Sequence, residues 1–143
     1  MEEVREELEY SYRLGSRFVD FEGGEPTLWK DGDKNVNDLI ALAKKIGFYS
    51  CTITTNALNS FYGIQADSIW VSMDGVGAVH DNIRGKGSFE RLERNIAQSG
   101  HGAVSVNMVI NNQNYIDVKN DAVILRRIFT SGTIAVFGRQ YNI

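Results

Sequence analysis

Cysteine occurs once in this chain of 143 residues, at Cys51, and proline once, at Pro26. A lone thiol excludes an internal disulfide and any metal centre assembled from several cysteines of this chain. Cys51 lies in the β-branched run Ser50-Cys-Thr-Ile-Thr54, where a small buried hydrophobe is expected. The two histidines, His80 and His101, fall in separate segments without ligand-like spacing and suggest no metal site. Basic residues are outnumbered, 15 Lys and Arg against 18 Asp and Glu, leaving a net charge of -3. Neither nucleic acid nor an anionic membrane surface is therefore expected as the main partner. No apolar run is long enough to cross a bilayer, and the acidic N-terminus does not look like a signal peptide, so a cytoplasmic protein is expected.

With 43% hydrophobic and 23% charged residues, the composition is that of one ordinary domain, large enough to bury about two-thirds of its unfolded surface. Val4, Leu8 and Tyr12 share one face of a helix predicted over Glu2 to Leu14, which Gly15 stops. A strand from Arg17 to Phe21 follows. Val36, Leu39, Ile40, Ala43 and Ile46 form the stripe of a second helix ended by Gly47. Strands are expected at Tyr49 to Thr54 and Ser68 to Met73. A long loop then carries His80, Asp81, Arg84 and Gly85, and Ser88 caps a helix whose Phe89, Leu92 and Ile96 face inward up to Gly100. A near-continuous apolar strand at Ala103 to Ile110, a helix over Val118 to Phe129 and a last strand at Thr133 to Phe137 complete the pattern.

Strands alternating with helices imply an α/β fold with a mostly parallel sheet of five strands, covered by crossover helices that bury both faces. Polar residues recur just after the strands, so the site is expected at the carboxyl edge of the sheet. The richest stretch is Phe18-Val-Asp-Phe-Glu-Gly-Gly-Glu-Pro-Thr-Leu-Trp29. Gly23 and Gly24 let a ligand approach the backbone, Glu25 offers an acceptor to a cationic group, and Pro26 stiffens the exit. Read as local structure alone, the same residues make a tight turn.

Gly23-Gly-Glu-Pro26, Thr54-Thr-Asn-Ala57 and Ser72-Met-Asp-Gly75 followed by His80-Asp-Asn-Ile-Arg-Gly85, in that order, resemble the radical S-adenosylmethionine (radical SAM) enzymes. The branch that includes cofactor- and peptide-maturing iron-sulfur oxidoreductases is the most similar, over roughly Glu2 to Lys119. The resemblance implies a partial (β/α) barrel holding SAM across its strand ends beside a 4Fe-4S cluster. It also implies reductive cleavage of SAM to a 5′-deoxyadenosyl radical that abstracts hydrogen. Gly23, Gly24 and Glu25 would meet the methionyl ammonium, with Pro26 behind them. Ser72 and Arg84 would hold the ribose and carboxylate, Arg84 through a two-bond clamp. Asn56, Asp74 and Asn107 are candidates for the same shell. The alternatives are structural: Ser72 and Asp74 shaping the Asp-Gly turn, Arg84 pairing with Asp81 at the surface, and His80 ordering its loop.

The family's C-x3-C-x2-C loop is absent, and three thiolates are needed to hold three irons of the cluster. The resemblance places that loop and a first strand ahead of the helix that begins here, so the chain is expected to be a fragment without the cluster ligands, inactive alone. Its strand near Arg17 would expose an unpaired edge prone to self-association. A cluster-free SAM-binding or scaffold module that pairs with a partner chain is the alternative. An aldolase-like barrel would need a catalytic lysine at a strand end, and Lys30, Lys34 and Lys86 all fall in polar loops.

Overall fold

The computed structural model describes residues 1–121 and the strand at 134–138. The elements run α1 (Glu2–Arg13), β1 (Phe18–Phe21), a short 3-10 turn (Pro26–Leu28), α2 (Val36–Ile46), β2 (Ser50–Thr55), β3 (Ser68–Ser72), α3 (Ala78–Arg84), α4 (Ser88–Gln98), β4 (Val104–Ile110) and β5 (Ile134–Gly138). The predicted helix over Val118 to Phe129 lies mostly outside the described residues.

Local chemistry sets the helix ends. Asn35 caps α2 by accepting from the Asn37 N–H at 2.9 Å, while Asp38 reaches back to the Asn35 N–H at 2.8 Å. This reciprocal pair satisfies donors that the first turn leaves open. At the other end Gly47 has φ +120, and a Cβ there would stand 2.7 Å from the Tyr12 hydroxyl of α1. Tyr12 also packs edge-on to Phe48, so the glycine lets α1 and the end of α2 close together. Two boundaries differ from the sequence reading. Residues 78–84 form helix α3 instead of loop, and Gly87, not Ser88, is the N-cap of α4, with Ser88 its first residue.

The sheet is entirely parallel and open, in the order β1-β2-β3-β4-β5. Right-handed crossovers between strands laid down in sequence all return on the same side. Burial follows that rule. Cys51, Ile53, Ile69, Val71, Val106 and Met108 are at most 1% exposed and pack with Leu8, Ile40, Ala43 and Leu92 from the helices. The alternate positions Asp20, Thr52, Ser68, Trp70, Ser72, Ser105 and Asn107 are half-buried or exposed. Among the described residues, helices cover one face of the sheet. The other face, among the described residues, mixes these mostly polar positions with Phe18 and Val109, and Thr54 on it is buried.

Candidate functional site

At the end of β1 the chain turns through Glu22, Gly23 and Gly24 into the 3-10 turn. Gly24 has φ +64, and no atom lies within 4 Å of where a Cβ would stand on Gly23 or Gly24. Their backbone faces open space. Glu25, by contrast, is heavily used within the protein. Its Oε1 accepts from the Thr27 N–H (3.2 Å), the Thr27 hydroxyl (2.6 Å) and the Thr55 hydroxyl (2.6 Å), and its Oε2 accepts from the Asn56 N–H (2.9 Å). The carboxylate ties the end of β1 to the end of β2 and keeps spare acceptor capacity only on Oε2. Pro26 is buried as the first residue of the 3-10 turn, where its missing N–H is not needed.

Asn56 follows β2 directly. Its Oδ1 accepts from the Leu58 N–H at 2.8 Å, and the next residue, Ala57, is fully buried with φ +56. A positive φ in a non-glycine residue is a local strain held by its surroundings. Here the holders are Thr55, whose hydroxyl accepts from the Ala57 N–H, and Asn95 of α4, which donates to the Ala57 carbonyl.

Ser72 ends β3 directly beside Asn107 of β4, so both side chains project to the mostly polar face. Asn107 Oδ1 is buried and has no hydrogen-bond partner among the described residues. Asp74, 4% exposed, has both oxygens engaged: Oδ2 accepts from Arg84 Nε at 2.6 Å and Oδ1 from the Val109 N–H at 3.2 Å. Asp74 is thus the buried counter-charge that aims Arg84. The surface pair between Arg84 and Asp81 does not form. Asp81 accepts instead from the N–H groups of Gly87 and Phe89 and from the Ser88 hydroxyl, which holds its carboxyl below the usual value. The start of α4 is already filled by this carboxylate.

His80, read from the sequence as ordering its loop, does hold the turn after β3. Its ring is fully buried, packs edge-on to Phe89 at 6.0 Å, and takes the Asp74 N–H on Nδ1 at 3.2 Å. Burial first, then the charge of Arg84, pushes its pKa down, against the opposing pull of Asp74 and Asp81. With Nδ1 accepting, the proton of the neutral ring is on Nε2. That atom has no partner among the described residues. Only the helical path of residues 78–84 brings the ring back over Asp74, and Gly75 and Gly77 hide that helix in the sequence.

Cavities among the described residues lie near these strand ends. One of about 480 Å3 is lined by Gly23, Glu25 and Pro26 together with Val4, Asp20, Phe21, Trp29 and Leu39. A second, of about 170 Å3, is formed by Asn56, Leu58, His80 and Arg84. A third, of about 240 Å3, shares Leu58 and Arg84 and adds Lys86, Gly87 and Arg91. Asn56 joins the first two regions, since its N–H meets Glu25 and its side chain lines the cavity of Arg84.

An iron-sulfur cluster does not fit the described residues. No three His, Cys, Asp or Glu side chains among them come together to hold a metal ion. Cys51 lies fully buried beneath the helices, with its thiol pushed up in pKa by that burial. Two buried polar atoms, His80 Nε2 and Asn107 Oδ1, lack hydrogen-bond partners among the described residues. No protein-family model matches the chain, and no curated protein sequence is similar to it. No helix among the described residues is long and apolar enough to cross a membrane.

Proposed function

We propose that this chain is the SAM-binding part of a radical SAM-type partial (β/α) barrel, with SAM lying across the carboxyl ends of β1 to β4. The observation that carries the reading is the continuity of the strand-end residues. Glu25 bonds Asn56, Asn56 shares a cavity with Arg84, Arg84 is held by Asp74, and Ser72 stands beside Asn107. An α-amino acid end presents a cation and an anion a few bonds apart. Glu25 Oε2 and the guanidinium of Arg84, on either side of Asn56, match that pair in sign and order. Ser72 and Asn107 supply neutral hydrogen-bonding groups on the mostly polar face for the ribose.

Binding and orientation are all that these residues supply. A 4Fe-4S cluster, where present in the family, provides the electron that cleaves SAM. The residues here do not hold one, so the chain by itself is expected to bind SAM weakly and leave it intact. Titration with SAM, followed by the fluorescence of Trp29 and Trp70 or by calorimetry, tests the reading. Saturable binding that Arg84→Ala weakens about tenfold or more is expected. No binding by the intact chain, or binding indifferent to Arg84, overturns it.

A second reading, a scaffold module that pairs with another chain, is favoured by one feature. Phe18 at the start of β1 and Tyr49 just before β2 are 73% and 72% exposed and packed edge-to-face at 6.4 Å, an exposed aromatic pair at the end of the sheet. A defined oligomer in light scattering, together with no response to SAM, would select it.

A further inference from the structure

His80 holds an N–H that no described residue accepts. We infer that His80 is a specificity-determining donor, its neutral Nε2–H directed at the carboxylate of the ligand that Arg84 attracts; this rests on the SAM reading above. The tautomer is fixed by the Asp74 N–H, which occupies Nδ1 at 3.2 Å and leaves the proton on the far nitrogen. The ring is fully buried, and Nε2 lacks a partner among the described residues. A buried donor left without an acceptor is costly, and such atoms are uncommon unless a ligand or water completes them. The cavity whose wall the ring helps form, with Asn56, Leu58 and Arg84, is about 170 Å3. That is less than a whole small-molecule pocket and ample for the amino-acid end of a larger ligand.

Arg84 is the movable side of this cavity and His80 the fixed one. The arginine side chain is 32% exposed and is held through Nε alone, by a carboxylate that is 6% exposed. Its two terminal amino groups make no hydrogen bond among the described residues and can take the two oxygens of a carboxylate. One of those oxygens retains acceptor capacity for Nε2–H of His80 when the guanidinium shifts to admit it. A neutral donor suits this place. It adds direction without a second positive charge beside Arg84, and the nearby arginine already disfavours protonation of the ring.

Removing the carboxylate from the ligand, rather than the histidine from the protein, gives the clean test. The 143-residue chain is titrated with SAM and, separately, with decarboxylated SAM, while the imidazole nitrogens and Nε2 proton of His80 are followed by NMR. Both ligands are expected to bind, and only SAM to shift the Nε2 signals. His80→Phe, which keeps the packing on Phe89, should weaken SAM about tenfold or more and leave the decarboxylated ligand within about twofold. Binding of both ligands with identical His80 shifts, or with none, overturns the inference while the SAM reading stands. Failure of both ligands to bind the intact chain overturns the two together.

Discussion

Gly75 shows how much a single position carries at the residue scale. Its φ is +155, and a Cβ would come within 2.5 Å of Val79 Cγ1. Gly75→Ala is expected to destabilise by about 1–3 kcal/mol, through overpacking and backbone strain, as read from urea midpoints. His80 gives a pH signature of opposite origin. Its pKa in the fold is below the ordinary 6.5, so the unfolded chain takes up the proton first as pH falls. The stability it contributes is full above about pH 6.5 and declines as the pH drops from there towards the folded value. Urea unfolding between pH 7.5 and 5 should show that slope, and His80→Phe should remove it. At this scale the residue types were legible and their partners were not. Arg84 and Asp74 both stood out in the sequence, but their bond depends on α3, and α3 was read as a loop. Glu25 was read as a ligand acceptor. The structure turns most of its capacity inward, to Thr27, Thr55 and Asn56, through contacts that cross 30 residues of chain and leave no periodic trace.

Among elements, the join between β1 and β2 concentrates the most polar contacts on one group. Glu25→Ala removes every acceptor from the Thr27, Thr55 and Asn56 donors. A loss of about 1–3 kcal/mol is expected, with faster amide exchange at Thr27 and Asn56 as the local measurement. Asp81→Ala should likewise lower the urea midpoint by releasing the N–H groups of Gly87 and Phe89 at the start of α4. Helices α1 and α2 and the three inner strands were readable because hydrophobic spacing there obeys a single period: Val4, Leu8 and Tyr12 for a helix, Cys51 and Ile53 for a strand. The short α3 was not. Seven residues between glycines carry too few apolar positions to set a period, and tertiary contacts decide such segments.

At the scale of the molecule, the edge of β1 that no described strand pairs with is the exposed hazard. Phe18→Lys places a charge on that edge and is expected to reduce self-association at high concentration, measured by light scattering, without altering the fold. The parallel sheet followed from alternating strands and helices, but its one-sided covering by the described helices did not. Parallel strands are usually buried on both faces, and the departure lies in the small polar residues at alternate positions, Thr52, Ser68, Ser72 and Ser105. Such residues read as interruptions in a strand until the register lines them up side by side.

The two sides of that sheet answer to separate demands. Residues pointing towards the helices form the apolar core, while their immediate neighbours in sequence lie outside it. Randomising positions 52, 70, 72, 105 and 107 as a set should therefore yield a large share of chains that still unfold cooperatively yet differ in what they bind. New recognition could be selected on this surface while the scaffold beneath it stays as it is.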